Sequence, residues 1–298
     1  MRIVIVGTGA MACLFAARLA SVAHVTLTGT WSEAIASIRK RGILVEHENE
    51  TRTFAAAAAY IGTSLPAADL ILVLVKSWQT ASIAGYLEGY LAPEGIILSL
   101  QNGLGNIELL GPKACPGVTA TGATLVGPGY VRTGGTGPTH MVAPEQVAEL
   151  FRRAGFECHR CEPHEAESLI WGKLTISCGI NALTAILRVP NGELLNRPNA
   201  ADLMARAALE CYEVARARGV ELPFSDPVER VREVALRTAA NRSSMLQDLL
   251  RGAPTECDAI NGAVVGEGKR FGIPTPVNEI LWQLIQSAVH QKRSGLQQ

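Results

Sequence analysis

The residues best suited to chemistry lie on one stretch of chain. Between Glu165 and Ile186 the sequence is apolar on nearly every helical face, at Leu169, Ile170, Leu174, Ile176, Ile180, Leu183 and Ile186, so this segment must be largely buried. Lys173, Ser177, Asn181 and Thr184 interrupt it at successive spacings of four, four and three, which puts the polar groups on one stripe. Such a stripe is either a satisfied polar network or the wall of a site. A lysine is rarely carried into a core without a reason, and burial lowers its pKa, which suits an ammonium that protonates a carbonyl oxygen receiving a hydride.

Two later places offer related chemistry. Ser243 to Asp248 reads as a capping box at a helix start, which by itself accounts for Ser244, and the same free N–H groups and hydroxyl could take a substrate carboxylate. Thr255-Glu256 opens another helix, where an acid is favoured by the helix dipole alone. Cys158 and Cys161, with His159 and His164 beside them, have suggestive spacing, but no second ligand pair follows, so inert thiols are the better reading and no metal is expected.

At the N-terminus Gly7-Thr8-Gly9-Ala10-Met11-Ala12 follows an apolar strand and opens a helix. In that setting the first glycine allows a tight turn, the second lets the backbone approach a pyrophosphate, and Ala12 fills the helix-packing position. The end of the second strand, where a ribose-chelating acid usually stands, reads Thr28-Gly29-Thr30-Trp31. With no acid there, a 2′-phosphate meets no repulsion; hydroxyls such as Thr30 could donate to it and Lys76 could supply the cation, so NADPH is expected over NADH.

The elements that must position these groups follow from periodicity. Strands are expected at Arg2–Val6, His24–Thr28, Asp69–Val75 and Gly95–Leu100, alternating with helices at Ala10–Ser21, Ser32–Arg41 and Gln79–Leu91, which means a parallel sheet with crossover helices. Val118–Val142, rich in glycine and β-branched residues, reads as meandering strands at the far edge of that sheet. After Pro163 helical periods dominate. The chain therefore divides into a Rossmann-type α/β domain, 1–163, and an all-helical domain, 164–298.

Composition agrees and excludes alternatives. The 298 residues carry 27 Lys plus Arg against 27 Asp plus Glu, which argues against a nucleic-acid binder, and 48% hydrophobic residues mark a globular chain. No apolar run reaches the roughly 18 residues of a membrane span. Seven scattered cysteines read as buried thiols of a reducing compartment, so cytoplasm is expected. Oligomeric state is not readable, and a homodimer stays open.

Taken in order, Gly7 to Met11, Lys76-Ser77-Trp78-Gln79, Gln101-Asn102-Gly103-Leu104-Gly105, Lys173 to Asn191, Pro190 to Leu194, Ser243 to Asp248, and Thr255-Glu256 with Asn261-Gly262 resemble ketopantoate reductase over nearly the whole chain. The resemblance implies a helical domain like the C-terminal domain of 6-phosphogluconate dehydrogenase, and NADPH-dependent reduction of 2-dehydropantoate to (R)-pantoate on the route to pantothenate. It implies that Lys173 protonates the ketone, that Glu256 holds lysine and substrate, and that Asn102 stands at the nicotinamide. Asn181, Asn191 and Ser244 would bind the substrate's hydroxyl and carboxylate, and Lys76 and Gln79 the adenosine side of the cofactor. Three positions depart from the family: it usually has glycine at Ala12, arginine near Thr30 and asparagine at Ser177, the last being a substrate-binding position. Two rival readings follow, a related reductase of another 2-oxo acid and a non-catalytic NADP(H)-binding sensor.

Overall fold

A computed structural model describes residues 1–48 and 50–294, with side chains to 289. The chain forms two compact units, Met1–Gln101 with Asn106–Ala166, and Asn102–Gly105 with Glu167–Gln298. A boundary drawn at a single point does not capture the second unit, because the short piece Asn102–Gly105 belongs to it.

The first unit runs β1 (Arg2–Val6), α1 (Ala10–Leu19), β2 (His24–Gly29), α2 (Ser32–Arg41), β3 (Ile43–His47), β4 (Glu50–Phe54), β5 (Ala57–Tyr60), β6 (Ala68–Val73), α3 (Thr80–Leu87), β7 (Leu91–Ser99), α4 (Asn106–Leu110), β8 (Ala114–Thr119), β9 (Ala123–Gly127), β10 (Tyr130–Thr133), β11 (Thr139–Met141), α5 (Glu145–Arg153) and β12 (Cys158–Arg160). Ile3 to Val6 and Leu70 to Val73 are buried without interruption, as strands covered on both faces must be. The main sheet has the order β12-β11-β8-β7-β6-β1-β2-β5. Its members β5, β2, β1, β6, β7 and β8 pair in parallel, β11 is antiparallel to β8, and β12 pairs with β11. The parallel part is the doubly wound dinucleotide-binding order, whose direction of growth reverses between β1 and β6; ligands bind outside the carboxyl ends of the strands at such a point.

The expected edge meander is corrected in part. β8 and β11 lie at that end of the main sheet, but β9 and β10 leave it and join β3 and β4 in a separate sheet of order β4-β3-β10-β9, packed on α1. The unread partner is the β3–β4 hairpin, whose free edge pairs Leu44 to Glu46 with Tyr130 to Arg132. Glu46 then accepts from the Tyr130 hydroxyl at 2.5 Å and from Arg132 Nε at 2.6 Å, while Val131 is buried against the core around Leu14 and Phe15.

The second unit contains α6 (Pro163–Leu187, from Glu167 onward), α7 (Pro198–Ala217), α8 (Pro227–Arg237), α9 (Ser244–Arg251), a π-helical turn at Asp258–Gly262, α10 (Ala263–Phe271) and α11 (Pro276–Ser294). The helix boundaries have local causes. Asp226 caps α8 by accepting from Val228 N and Glu229 N, and glycines with positive φ, Gly252 and Gly272, end α9 and α10. Among the described residues α6 is long and apolar enough to cross a membrane, yet 61% of that apolar window is buried within the protein, as in a core helix. It packs closely on α7 because Gly179 lacks a Cβ, which would lie 2.9 Å from Met204 O.

Candidate active site

In the first unit the glycine turn is shaped for an anion. Gly7 has φ +134° and a Cβ there would lie 3.1 Å from the Leu74 carbonyl, so both conformation and space demand glycine. Gly9 is the N-cap residue of α1, with open space where its Cβ would stand. Intrahelical bonding starts at Cys13 N to Gly9 O, so the N–H groups of Ala10, Met11 and Ala12 precede the ladder, with no side-chain cap and no acid in the first turn. Thr8 is buried against Gly29, Ala12 is fully buried in helix packing, and the buried Thr28 Oγ1 has no partner among the described residues. These groups fit the pyrophosphate of a dinucleotide.

Around the second strand the structure places Thr30 on the surface beyond β2, with Trp31 at the start of α2. Reading only Thr28 to Trp31 missed Glu33. Its exposed carboxylate is held by its own backbone N–H, by Ser32 Oγ at 2.9 Å and by Trp31, which keep its pKa below the usual range. The available signal was its place in the first turn of α2. Lys76 stands past the end of β6 and opens a 3₁₀ turn, Ser77–Gln79. Gln79 closes that turn, accepting from Lys76 N at 3.3 Å and donating its own N–H to Lys76 O at 2.8 Å. Gln101, also unread as a functional residue, ties the loops after β6 and β7 together by donating to Val75 O at 3.0 Å and Thr80 Oγ1 at 2.8 Å.

In the second unit three of the expected groups come together. Lys173 is half-buried on α6; burial takes its amine from 10.5 down to about 8, and the Glu256 carboxylate opposes that fall. Glu256 is only 4% exposed. Asn102 Nδ2 donates to Glu256 Oε2 at 3.3 Å. Asn102 is held there because Leu104 N donates to Ala259 O at 2.9 Å and Gly103, at φ +79°, lies so near that a Cβ would be 2.3 Å from the same oxygen.

The polar stripe of α6 divides. Ser177 and Asn181 are half-buried and make no side-chain hydrogen bond to the described residues, which leaves them available to a ligand. Thr184 is fully buried and satisfied, its hydroxyl lying 2.7 Å from Ser243 Oγ and within hydrogen-bond distance of carbonyls of its own helix, its single proton going to one of them at a time. The capping reading of Ser244 is corrected: Ser243 is the N-cap, accepting from Leu246 N at 3.1 Å, and Ser244 is the first helical residue, with a hydroxyl outside the cap. Asn191 is 7% exposed and donates to Thr238 Oγ1 at 2.9 Å, while its Oδ1 has no partner among the described residues. Cys158 and Cys161 are buried free thiols, and burial pushes Cys158 up to about 11.

Comparison with known proteins places this architecture. The ketopantoate reductase PanE/ApbA family model matches residues 3–146, and the model of the same family's C-terminal part matches 165–289. A 2-dehydropantoate 2-reductase of Halobacterium salinarum is 37% identical over 304 residues, spanning 97% of this chain and 99% of its own. A crystal structure of a PanE/ApbA family ketopantoate reductase from Ralstonia eutropha superposes with a TM-score of 0.91 at 30% identity, over 98% of this chain and 100% of that one. D-mandelate dehydrogenase, in a ternary structure with NADH and anilino(oxo)acetate, superposes at 0.92 with 25% identity, again over 98% and 100%. With a helical unit that carries Lys173 and Glu256 behind a doubly wound nucleotide-binding sheet in the sequence, the chain belongs to the ketopantoate reductase family.

Proposed function

We infer that the chain is a nicotinamide-dependent oxidoreductase that reduces 2-dehydropantoate to (R)-pantoate. The observation that carries this reading is a lysine amine brought down to about 8 beside a buried carboxylate that also accepts from Asn102. A lysine titrating near working pH is suited to general acid catalysis. The nicotinamide, when bound, supplies the hydride that adds to the keto carbon. Lys173 gives its proton to the ketone oxygen, so the sum is 2-oxo acid plus reduced nicotinamide plus a proton to 2-hydroxy acid plus oxidised nicotinamide. Glu256 holds the ammonium in place, and Asn102 fixes the carboxylate. Ser177, Asn181 and the Ser244 hydroxyl, with the N–H groups that open α9, suit a substrate that is both hydroxylated and anionic. Asn191, with a buried unpaired carbonyl oxygen, is a further polar contact for it.

NADPH is the proposed reductant, supported by the absence of an acid from Thr28 to Trp31 and by Lys76 just past β6. The turn Gly7 to Ala12 would hold the pyrophosphate, and Thr30 and Gln79 lie on loops next to the carboxyl ends of β2 and β6. A cytoplasmic location is supported by seven cysteines that are all free. The test is oxidation of NADPH and NADH by ketopantoate, followed through the nicotinamide absorbance. A second reading, a reductase of another 2-oxo acid, is favoured by Ser177 and by the likeness to an NADH-bound dehydrogenase of D-mandelate. Turnover of an aromatic 2-oxo acid with none of ketopantoate would establish it in place of the first.

A further inference from the structure

The π-helical turn at Asp258–Gly262 is closed by Gly262 N donating to Cys257 O at 2.9 Å, and such single turns cost helix regularity. Glu256, whose charge acts on Lys173, and the segment that carries Asn102 are both attached to it. Glu256 O accepts from Ala259 N and Ile260 N, each at 3.1 Å, and Ala259 O accepts from Leu104 N in the segment that carries Asn102. Whatever fixes this turn therefore fixes both the carboxylate and the amide.

Asn261 is the buried polar residue inside the turn. Its Nδ2 donates to Asn278 Oδ1 on α11 at 2.9 Å and to Cys178 O on α6 at 3.4 Å, five positions after Lys173. The direction of these bonds is determined from the far end. Glu210 on α7 accepts from Val277 N and Asn278 N at 2.9 Å each and from Asn278 Nδ2 at 2.8 Å, and Ala207 O takes the other Nδ2 proton at 3.0 Å. With both amide protons committed, Asn278 offers only its oxygen, so Asn261 must present its nitrogen. The consequence is visible: Asn261 Oδ1 is buried and has no partner among the described residues. An unpaired buried carbonyl oxygen costs stability, so this amide is poorly explained as a stabilising device. It is well explained as a clamp that holds the turn against α6 and α11 at one register.

We propose that Asn261 is a positioning residue: through the π-helical turn it sets Glu256 and Asn102 against Lys173, with Asn278 and Glu210 orienting its amide. The role rests on the reductase reading for its catalytic consequence, though not for its geometry. Loosening the turn moves Glu256, the charged group acting on Lys173, and separates it from Asn102.

The experiment compares Asn261→Ala and Asn278→Ala with wild type in the full chain. In both variants kcat for 2-oxo acid reduction is expected to fall by about ten- to a hundredfold, while KM for the nicotinamide changes by less than about threefold. In the ligand-free protein, the Lys173 ammonium followed by ¹⁵N NMR is expected to titrate at lower pH than in wild type, because the carboxylate that opposes its desolvation acts on it less. A purely structural role would lower the melting temperature and leave the Lys173 midpoint and kcat where they were; that result in a folded variant overturns the proposal. If Asn261→Ala does not fold, Asn278→Ala, which keeps Asn261 but removes its main acceptor, decides alone. Absence of turnover in wild type would overturn the reductase reading instead, and the NMR titration would still decide the positioning.

Discussion

The Asn102 amide donates to the Glu256 carboxylate at 3.3 Å across 154 positions of sequence. The contact exists because Gly103 lets the chain lie on the carbonyl of Ala259. Gly103→Ala puts a Cβ at 2.3 Å from that oxygen in a backbone conformation, φ +79°, that alanine resists. The segment must lift, taking Asn102 with it. The expected outcome is a destabilisation of about 1–3 kcal/mol by thermal or urea unfolding and a loss of about tenfold or more in kcat. A variant with wild-type turnover would show that the segment's seat on the turn is irrelevant to the site.

The depressed amine of Lys173 gives a signed pH dependence. Its folded pKa, about 8, lies below the ordinary 10.5, so the charged form is the disfavoured one in the fold and persists only below about 8. Ketone reduction needs the ammonium as acid and should decline as pH rises through about 8. Oxidation of the 2-hydroxy acid needs the free amine as base and should increase over the same range. Glu256→Gln removes the charge that opposes desolvation, so both midpoints should move to lower pH. Lys173→Ala should lower kcat by about a hundred- to ten-thousandfold with nicotinamide affinity preserved. Opposite pH trends in the two directions are the check; parallel trends would remove Lys173 from the role.

Ser243 and Ser244 are adjacent and should behave differently. Ser243→Ala removes the cap of α9 and the acceptor of the Thr184 hydroxyl, leaving that hydroxyl with carbonyls of its own helix, so a loss of about 1–2 kcal/mol in stability is expected. Ser244→Ala leaves the cap intact. It should leave the melting temperature near wild type and raise KM for the 2-oxo acid by about three- to tenfold, the scale of one lost hydrogen bond to a charged group. Comparing melting curves and steady-state kinetics of the two variants separates the residues.

Most of the helical unit was legible because its boundaries are written locally, in prolines, in Asp226 and in glycines with positive φ. The stripe on α6 was legible as a spacing, but spacing could not say that Thr184 serves a cap on another helix while Ser177 and Asn181 remain available. That depends on burial, and burial depends on what α9 brings against α6. The separate four-stranded sheet was missed for a similar reason. β10 carries the same alternation whether it pairs with β11 or with β3, and the features that mark its pairing with β3, among them the Glu46 contacts to Tyr130 and Arg132, lie far from it in sequence. The resemblance put Asn102 at the nicotinamide, but its contact with Glu256 was not legible, since no local pattern reports a contact so distant in sequence.

Cofactor choice can be tested at Glu33, an acid just beyond the stretch Thr28 to Trp31 where none stands. Glu33 carries an exposed carboxylate, held ionised by its own N–H, Ser32 and Trp31, in the first turn after β2, where the adenosine ribose of a dinucleotide would lie in this fold. A fixed negative charge there opposes a 2′-phosphate and can accept from a 2′-hydroxyl. Glu33→Gln should therefore tighten NADPH by roughly two- to fivefold, loosen NADH slightly or not at all, and leave thermal stability unchanged. Because the group is exposed, the gain should shrink as salt is raised and the Debye length falls from about 10 Å toward 3 Å. Dissociation constants for both cofactors by calorimetry at low and high salt decide it. An unchanged NADPH-to-NADH ratio would mean that the carboxylate stands clear of the ribose and that discrimination comes from Lys76 and Thr30 alone.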